Sequence, residues 1–394
     1  MDTFDVIVIG AGVIGASVAF HLSRLGAGRV LVVDRRTIGA GTTSQSSGIL
    51  RTHYSVKENV EIARLSWNAF HAFPQYVEDD EASSGLVKCG YMIAAPEGPN
   101  RQALADSIAT QQAFGIPIEV LGRAEATGLL PIANFDDAAL IAYEPEAGFA
   151  DAYLVTNAFA SAAKRKGAKF HEGVNVRRLL VQAGKVVGIE TDRGPVSCGN
   201  VISVQNIWSK ELEGWTGMRI PVNAERHAVL ALEAPDPYTY KMPVFKDLAS
   251  AGMLYCRSYG GTQMLVSEGT SGETLAGPDD EQGPVSMDYV VEIGMQVATR
   301  FPSFETAGLA SSWTGVYDVT PDWNPVLGRA PGIQGLILGF GFSGHGFKLS
   351  PVVGRVLAQE ALGLPTDVSL APYSIERFDN GKLLLGKYGF GAVS

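Results

Sequence analysis

The first 34 residues most strongly limit the folds open to this chain. An apolar run at residues 6–9 leads into three glycines with the spacing G-x-G-x-x-G, and apolar residues at helical spacing follow. A second apolar run at residues 30–33 ends at Asp34. Continuous apolar runs are typical of parallel strands that are buried on both faces. The order therefore predicts a β–α–β unit at the start of a doubly wound parallel sheet.

The glycine spacing predicts the ligand of this unit. The first glycine permits a tight turn, the second lets a pyrophosphate approach the backbone, and the third lets helix and strand pack closely. The helix N-terminus presents unpaired N–H groups to the phosphates, and Asp34, 19 residues after Gly15, places a carboxylate near the ribose hydroxyls. We predict an adenine dinucleotide, either FAD or NAD, bound by Gly10, Gly12, Val13, Ile14, Gly15, Asp34 and Arg35.

Neighbouring residues leave two questions open. Arg35 and Arg36 suggest the 2′-phosphate of NADP, but the preceding acid opposes it, so we expect one arginine over the adenine and the other in solvent. The polar loop at residues 42–48 either contacts the pyrophosphate or forms a solvated turn.

A second glycine-rich segment, residues 339–348, precedes an apolar pattern that predicts a helix capped by Ser350, with Pro351 in its first turn. Its four glycines permit close approach of a flat ligand, and Lys348 adds a cation. A flavin ring, whose reduced form is an anion, would use both. For His345 we prefer a hydrogen bond to the loop backbone over a role in proton transfer.

Composition excludes several classes of protein. The formal net charge of −10 disfavours nucleic acid and anionic membranes as partners. Three dispersed cysteines suggest a reducing compartment, and the six histidines show no metal-ligand spacing. No apolar run approaches the roughly 20 residues of a membrane span, and the acidic start is unlike a secretory signal. We therefore expect a cytoplasmic protein without a metal.

Together these segments resemble the D-amino acid oxidase superfamily of FAD enzymes, and within it the sarcosine oxidase and glycine oxidase branch. The resemblance extends from Phe4 to Leu362, and its C-terminal motif is much more specific than the N-terminal fingerprint. Besides the fingerprint, it is carried by Gly41-Thr42-Thr43-Ser44, by Thr320-Pro321-Asp322 with Pro325-Val326-Leu327-Gly328, and by Gly341-Phe342-Ser343-Gly344-His345-Gly346-Phe347-Lys348.

The resemblance implies that FAD lies between the two glycine-rich segments. An amino-acid-like amine would lose a hydride to the flavin and give an imine that hydrolyses. Arg51 and Lys348 would hold the substrate's carboxylate, although a surface ion pair is an alternative for Arg51. Tyr54, Tyr255 and Tyr317 either line this pocket or are structural. Further cofactor contacts are expected from Gly41, Thr42, Thr43, Ser44, Ser47, Gly48, Val176, Gly341, Gly344, His345, Gly346, Phe347 and Lys348.

The chain differs from the sarcosine oxidase and glycine oxidase branch at positions that concern flavin attachment and the reaction with oxygen. No cysteine occurs at residues 315–317 and no histidine at residues 45–47, where the branch attaches flavin covalently, so we expect non-covalent FAD. Residues 260–265 lack the lysine that helps oxygen react. The electron acceptor is therefore O2 or a partner or quinone, and a dehydrogenase subunit is the alternative to an oxidase. An NAD(P)-dependent dehydrogenase and a non-catalytic flavin-binding subunit are more distant alternatives.

The same resemblance and the strand-rich stretch at residues 220–313 set the expected domains. We expect an α/β protein with a discontinuous FAD-binding domain formed by residues 1–85, 140–219 and 320–394. The inserted α+β substrate domain, built on an antiparallel sheet, is expected to comprise residues 86–139 and 220–319.

Overall fold

The computed structural model describes residues 2–235, 241–270, 272–280 and 283–388. Residues 389–394 of the predicted cofactor domain lie outside them. The helices are α1 (Val13–Arg24), α2 (Lys57–His71), α3 (Phe73–Tyr76), α4 (Pro99–Ala113), α5 (Arg123–Leu129), α6 (Ala152–Arg165), α7 (Glu211–Thr216), α8 (Met287–Arg300) and α9 (Gly346–Ala361). In the described part of the chain, none of them is long and apolar enough to span a membrane.

The strands form two large and two small sheets. They are β1 (Val6–Ile9), β2 (Val30–Asp34), β3 (Ile49–Leu50), β4 (Val87–Lys88), β5 (Tyr91–Ala95), β6 (Glu119–Leu121), β7 (Leu140–Glu144), β8 (Gly148–Phe149), β9 (Lys169–Glu172), β10 (Val176–Gln182), β11 (Lys185–Thr191), β12 (Gly194–Ser197), β13 (Asn200–Ser203), β14 (Asn223–Glu233), β15 (Val244–Asp247), β16 (Tyr255–Tyr259), β17 (Gln263–Ser267), β18 (Glu273–Thr274), β19 (Leu309–Val319), β20 (Val326–Arg329) and β21 (Leu336–Phe340).

The parallel sheet has the order β20-β21-β13-β1-β2-β9, with only the edge strand β20 antiparallel to its neighbour. Its central strands β21, β13, β1 and β2 are largely buried because both faces of the sheet are covered. Helices α1, α6 and α9 pack on one face, whereas the antiparallel strands β10–β12 cover the other. The predicted α/β class with a parallel sheet is confirmed, although a small sheet replaces helices on the second face.

The antiparallel sheet has the order β18-β14-β17-β16-β15-β5-β7-β6, and β19 pairs with β14; all its pairings are antiparallel except that of β15 with β5, which is parallel. Helices α5 and α8 pack against it. Most of its strands come from the two segments assigned to the substrate domain. Strand β7, however, belongs to this sheet through β5 and β6, and it lies in the predicted cofactor segment. The domain division stays a prediction, and the pairing of β7 favours a boundary after Glu144.

Helix α9 begins five residues earlier than its sequence pattern suggests. The expected cap Ser350 and the following Pro351 both lie inside the helix. Proline lacks only its own N–H, so the helix loses one hydrogen bond, to the carbonyl of Phe347, and continues. The consequence is functional, since Lys348 lies within the first turn of α9 rather than in the preceding loop.

Candidate active site

A cavity with an empty volume of about 1250 Å³, including its open mouth, lies at the carboxyl ends of the parallel strands and extends to β19. Ligands of parallel α/β sheets typically bind at this edge. The two glycine-rich segments, far apart in sequence, both contribute to the wall. The predicted site residues that line it are Gly10, Gly12, Val13, Ile14, Asp34, Arg35, Gly41, Thr42, Thr43, Ser47, Val176, Tyr317, Gly344, Gly346 and Phe347.

Close packing explains the glycines of the N-terminal fingerprint. Gly10 has a φ of +108°, and a Cβ there would lie 2.5 Å from the carbonyl oxygen of Val204. A Cβ on Gly15 would lie 1.8 Å from the carbonyl oxygen of Gly10, so only glycine lets α1 start this close to β1. Gly15 therefore shapes the turn and is not part of the wall.

Asp34 ties the turn to the end of β2. Its carboxylate accepts hydrogen bonds from the N–H groups of Ala11 and Arg36, both at 2.7 Å. Burial raises the pKa of this carboxyl group. The side chain thus orders the loop and also faces the cavity, where the ribose contact stays a prediction.

The polar loop at residues 42–48, here called the hydroxyl loop, binds an N–H group at the start of α1, so not all the N–H groups of this helix end are free. The N–H of Val13 donates to Thr43 Oγ1 at 3.1 Å, so this N–H is already engaged. Ser44 is exposed, its hydroxyl donates to the Gly41 carbonyl at 2.9 Å, and it is not among the residues of the wall. Gly48, also outside the wall, packs against the backbone of Ala150. Thr42 and Ser47 remain at the wall.

Sequence reasoning missed a cluster around Trp208. The guanidinium carbons of Arg35 and Arg36 lie 5.2 and 5.4 Å from the centre of a Trp208 ring. Arg35 also donates to both carboxylate oxygens of Glu211, at 2.7 and 2.9 Å. Both guanidinium groups lie against the indole, and Arg36 is exposed, which agrees with the expectation of one arginine in solvent. The contact of the other arginine with the adenine stays a prediction. The partner Glu211 is far away in sequence, and no local pattern signals it.

In the second glycine-rich segment, two glycines leave space that is filled by the side chains of Thr320 and Tyr317. Gly341 and Gly344 have φ values of +75° and +82°. A Cβ on Gly341 would lie 2.2 Å from Thr320, and one on Gly344 would lie 2.5 Å from the Tyr317 ring. Gly341 lies behind the wall, whereas Gly344 is part of it. These glycines therefore set the position of the β19 end as well as the shape of the cavity.

Two further residues position this segment and were not foreseen. The buried Asp318 carboxylate accepts a hydrogen bond from the N–H of Gly341 at 2.6 Å, and burial raises its pKa to about 7. Gln45 Oε1 accepts from the N–H of Val316 at 3.1 Å, which joins the hydroxyl loop to β19. Both side chains line the cavity, so they connect its two halves.

Arg51 and Lys348 form a buried cationic pair behind the wall. Arg51 is 4% exposed, and its guanidinium lies 4.7 Å from the centre of the Tyr54 ring and 5.7 Å from that of Tyr91. It donates to the carbonyl of His53, and no described carboxylate forms an ion pair with it. The surface ion pair that was an alternative for Arg51 is thus wrong. Burial and the charge of Arg51 hold the pKa of Lys348 well below its ordinary value.

His345 completes this buried group. Neither ring nitrogen has a hydrogen-bond partner among the described residues, so the preferred interpretation of a side chain bonded to the loop backbone is wrong. The ring meets Tyr54 edge-on, with 5.1 Å between ring centres. Burial, followed by the charges of Lys348 and Arg51, holds the pKa of His345 well below its ordinary value. The imidazole is therefore neutral at physiological pH.

The three predicted tyrosines occupy different places. Tyr54 is fully buried against Arg51 and lies behind the wall. Tyr317 lines the cavity and stacks on His227, with 4.0 Å between ring centres. Tyr255 is half-buried and forms a hydrogen bond with Tyr317. The tyrosines thus connect the cavity to the antiparallel sheet.

The sequence profile of one family, described as FAD dependent oxidoreductase, matches residues 5–360. This chain belongs to that family. It is 26% identical over 389 residues to mouse mitochondrial sarcosine dehydrogenase, covering 96% of this chain and 42% of the relative. It is 25% identical to the sarcosine oxidase subunit beta of Arthrobacter sp, covering 100% of this chain and 95% of the relative.

Solved structures show the same fold. The L-proline dehydrogenase of P. horikoshii superposes with a TM-score of 0.88 at 24% identity, over 97% of this chain and 99% of that one. The chain spans less than half the length of several relatives it matches, the sarcosine dehydrogenase among them. The family membership assigns FAD, rather than NAD, as the cofactor.

The cavity of this FAD dependent oxidoreductase fits its cofactor. The buried Oδ1 of Asn206, at the wall, has no hydrogen-bond partner among the described residues and can accept one from a ligand. Asp34 and the fingerprint glycines would hold the adenosine and diphosphate, and the segment from Gly344 to Phe347 would hold the ring. The described lining residues include neither cysteine nor histidine. Non-covalent binding of FAD stays a prediction.

Proposed function

We propose that this chain oxidises the C–N bond of an amino-acid-like amine, with Arg51 and Lys348 binding the substrate's carboxylate. The observation that carries the proposal is the burial of Arg51 and Lys348, neither of which forms an ion pair with a carboxylate among the residues that the structure describes. The relatives named sarcosine dehydrogenase and sarcosine oxidase subunit beta support the same class of substrate.

Electrostatics supports an external anion at this position. Burying an unpaired charge costs several kcal/mol, so buried cations are normally paired. The neighbouring carboxylate of Glu144 is already engaged by Thr52, through its N–H at 3.0 Å and its hydroxyl at 2.7 Å, and burial raises its pKa. A substrate carboxylate would offset the charge that remains, and an arginine fork would fix its orientation with two hydrogen bonds.

The reaction places one demand on the protonation of the substrate. When bound, FAD accepts the hydride that leaves the carbon next to nitrogen. The nitrogen lone pair forms the C=N bond of an iminium ion, which is the protonated imine, and water then hydrolyses it to a carbonyl compound and an amine or ammonia. The lone pair must be free, so the substrate reacts as the neutral amine. The neutral His345 and the buried cations disfavour a protonated amine, and activity should rise with pH toward the apparent pKa of the substrate amine.

A matched pair of amines tests the proposal. The protein is loaded with FAD, and its flavin absorbance is followed without oxygen after addition of N-methylglycine or N-methylethylamine, which has a methyl group in place of the carboxylate. Glycine, proline and D-alanine extend the panel. We expect bleaching by at least one carboxylate-bearing amine and none by N-methylethylamine. Failure of every amine in the panel would overturn the proposal and favour a non-catalytic subunit, whereas equal bleaching by N-methylethylamine would refute the binding of a substrate carboxylate by Arg51 and Lys348.

The proposal includes two possible electron acceptors. An oxidase would pass the electrons to O2, and a dehydrogenase would pass them to a partner protein or a quinone. Strand β17 carries no lysine that would help oxygen react. Stopped-flow reoxidation of the bleached protein by air, compared with reoxidation by an artificial quinone, distinguishes the two. A faster reaction with the quinone identifies a dehydrogenase, and a faster reaction with air identifies an oxidase.

A further inference from the structure

A third buried cation, Lys246, lies near this site. It is 4% exposed on β15, and its Nζ has no hydrogen-bond partner among the residues the structure describes. A Cβ on Gly269 would lie 1.8 Å from this Nζ, so the glycine leaves the space that the ammonium group occupies. A buried ammonium group without an acceptor is costly, and proteins retain one where a ligand supplies the acceptor.

The surroundings of Lys246 connect it to the flavin cavity. Its Nζ lies 5.9 Å from the centre of the Tyr255 ring, and Tyr255 is hydrogen-bonded to Tyr317 at the cavity wall. The adjacent carboxylate of Asp247 does not neutralise the lysine, because Arg300 binds both of its oxygens at 2.9 Å. Among the described residues, Lys246 therefore has neither an ion pair nor a hydrogen-bond acceptor.

Three buried basic side chains, Arg51, Lys246 and Lys348, lie near His345. The charges of Lys348, Arg51 and Lys246 all lower the pKa of His345. The two lysines come from different layers, Lys246 from the antiparallel sheet and Lys348 from the first turn of α9. Burial, followed by the charge of Arg51, lowers the pKa of both lysines, and the pKa of Lys246 falls to about 7. A single carboxylate on Arg51 and Lys348 would leave the third cation unpaired.

We propose that Lys246 binds a second carboxylate of the substrate, so that the site takes amines that carry two carboxylate groups. This rests on the proposed amine oxidation. One carboxylate lies on Arg51 and Lys348, the other lies on Lys246, and the oxidisable nitrogen is between them. A secondary amine with a carboxylate on each nitrogen substituent has this arrangement. Lys246 is then a specificity-determining residue, and substrates with one carboxylate bind without it.

Two thioethers test the proposal by binding alone, because they have no oxidisable amine. They are 2,2′-thiodiacetate, with two carboxylates, and (methylthio)acetate, CH3–S–CH2–COO−, with one; the second is called methylthioacetate below. Calorimetry on the FAD-loaded protein should show that thiodiacetate binds about ten- to a hundredfold more tightly, as expected for one further charge-assisted hydrogen bond. In Lys246→Met this preference should fall to less than about threefold, with methylthioacetate affinity unchanged. The exposed Lys185→Met is the matched control and should keep the wild-type preference.

Each outcome decides the proposal. Equal affinity of the wild type for both thioethers would overturn it even if Lys246→Met failed to fold, since that comparison needs no variant. A loss of affinity for both ligands in Lys246→Met would assign the lysine a structural role and also overturn it. If methylthioacetate binds and amines bleach the flavin but the second carboxylate brings no gain, only the inference about Lys246 fails. If no amine bleaches the flavin, the proposed function fails.

Discussion

Replacing Arg51 by methionine separates a ligand-binding role from a structural one. The change removes a hydrogen bond to His53, worth about 1 kcal/mol, and cation–π contacts with Tyr54 and Tyr91, worth roughly 0.5–2 kcal/mol each. It also removes a buried charge that has no ion pair among the described residues, whose burial costs several kcal/mol. These opposing contributions should leave the free energy of unfolding within about 2 kcal/mol of the wild type. Loss of a member of a buried ion pair would instead cost about 3–5 kcal/mol.

Ligand affinity should respond much more strongly than stability. Two charge-assisted hydrogen bonds at about 1.5–3 kcal/mol each correspond to roughly a 10²- to 10⁴-fold loss of affinity for methylthioacetate. Calorimetry gives the affinity, and urea unfolding gives the stability. Arg29→Met, which removes an exposed ion pair with Asp5, is the control and should change neither by much. A variant that unfolds more easily by over 3 kcal/mol yet binds methylthioacetate normally would refute the assignment of Arg51.

Three further predictions follow from the packing and the buried charges. Gly15→Ala brings a Cβ into the backbone of the fingerprint turn, so denaturant unfolding should show a loss of roughly 1–3 kcal/mol, and FAD should bind more weakly. The control Gly128→Ala, whose Cβ would have no neighbour within 4 Å, should leave the free energy of unfolding unchanged or raise it. Arg377→Met leaves the buried carboxylate of Asp322 without its bidentate partner and should cost about 3–5 kcal/mol by the same measurement; an unchanged unfolding midpoint would contradict this. The pKa of Asp318 is raised to about 7, so the protonated carboxyl group is favoured in the folded state and the free energy of unfolding falls as pH rises from about 4 to 7. Asp318→Asn should therefore flatten the pH dependence of the free energy of unfolding over that range. An unaltered slope would count against this assignment.

Local patterns predicted the elements that depend on neighbouring residues. The N-terminal β–α–β unit, the hairpin of β10 and β11, and helix α6 with its Asp151 cap follow from apolar periodicity, turn residues and capping, and the structure contains all three. The resemblance to a known family predicted that two glycine-rich segments, distant in sequence, lie at one cofactor site, and both segments contribute to the cavity wall. The start of α9 was misplaced because a proline inside a helix looks, in sequence, like a proline in the first turn.

Contacts between distant residues could not be read from sequence. The ion pair of Arg35 with Glu211 joins residues 176 positions apart at the rim of the cavity that Arg35 lines. Lys246 carries no motif and becomes informative only once its burial and missing partner are known. The three cations lie on a loop, a strand and a helix, so their convergence is a property of tertiary packing.

The most direct test of the central claim is a single anaerobic turnover with quantified products. The FAD-loaded protein is mixed with an excess of an amine that bleaches it, and the carbonyl product is measured against the flavin bleached. Oxidation of the C–N bond predicts one carbonyl compound released for each flavin that is bleached, with substrate carboxylates intact. Bleaching without a stoichiometric carbonyl product, or with release of CO2 instead, would contradict the account.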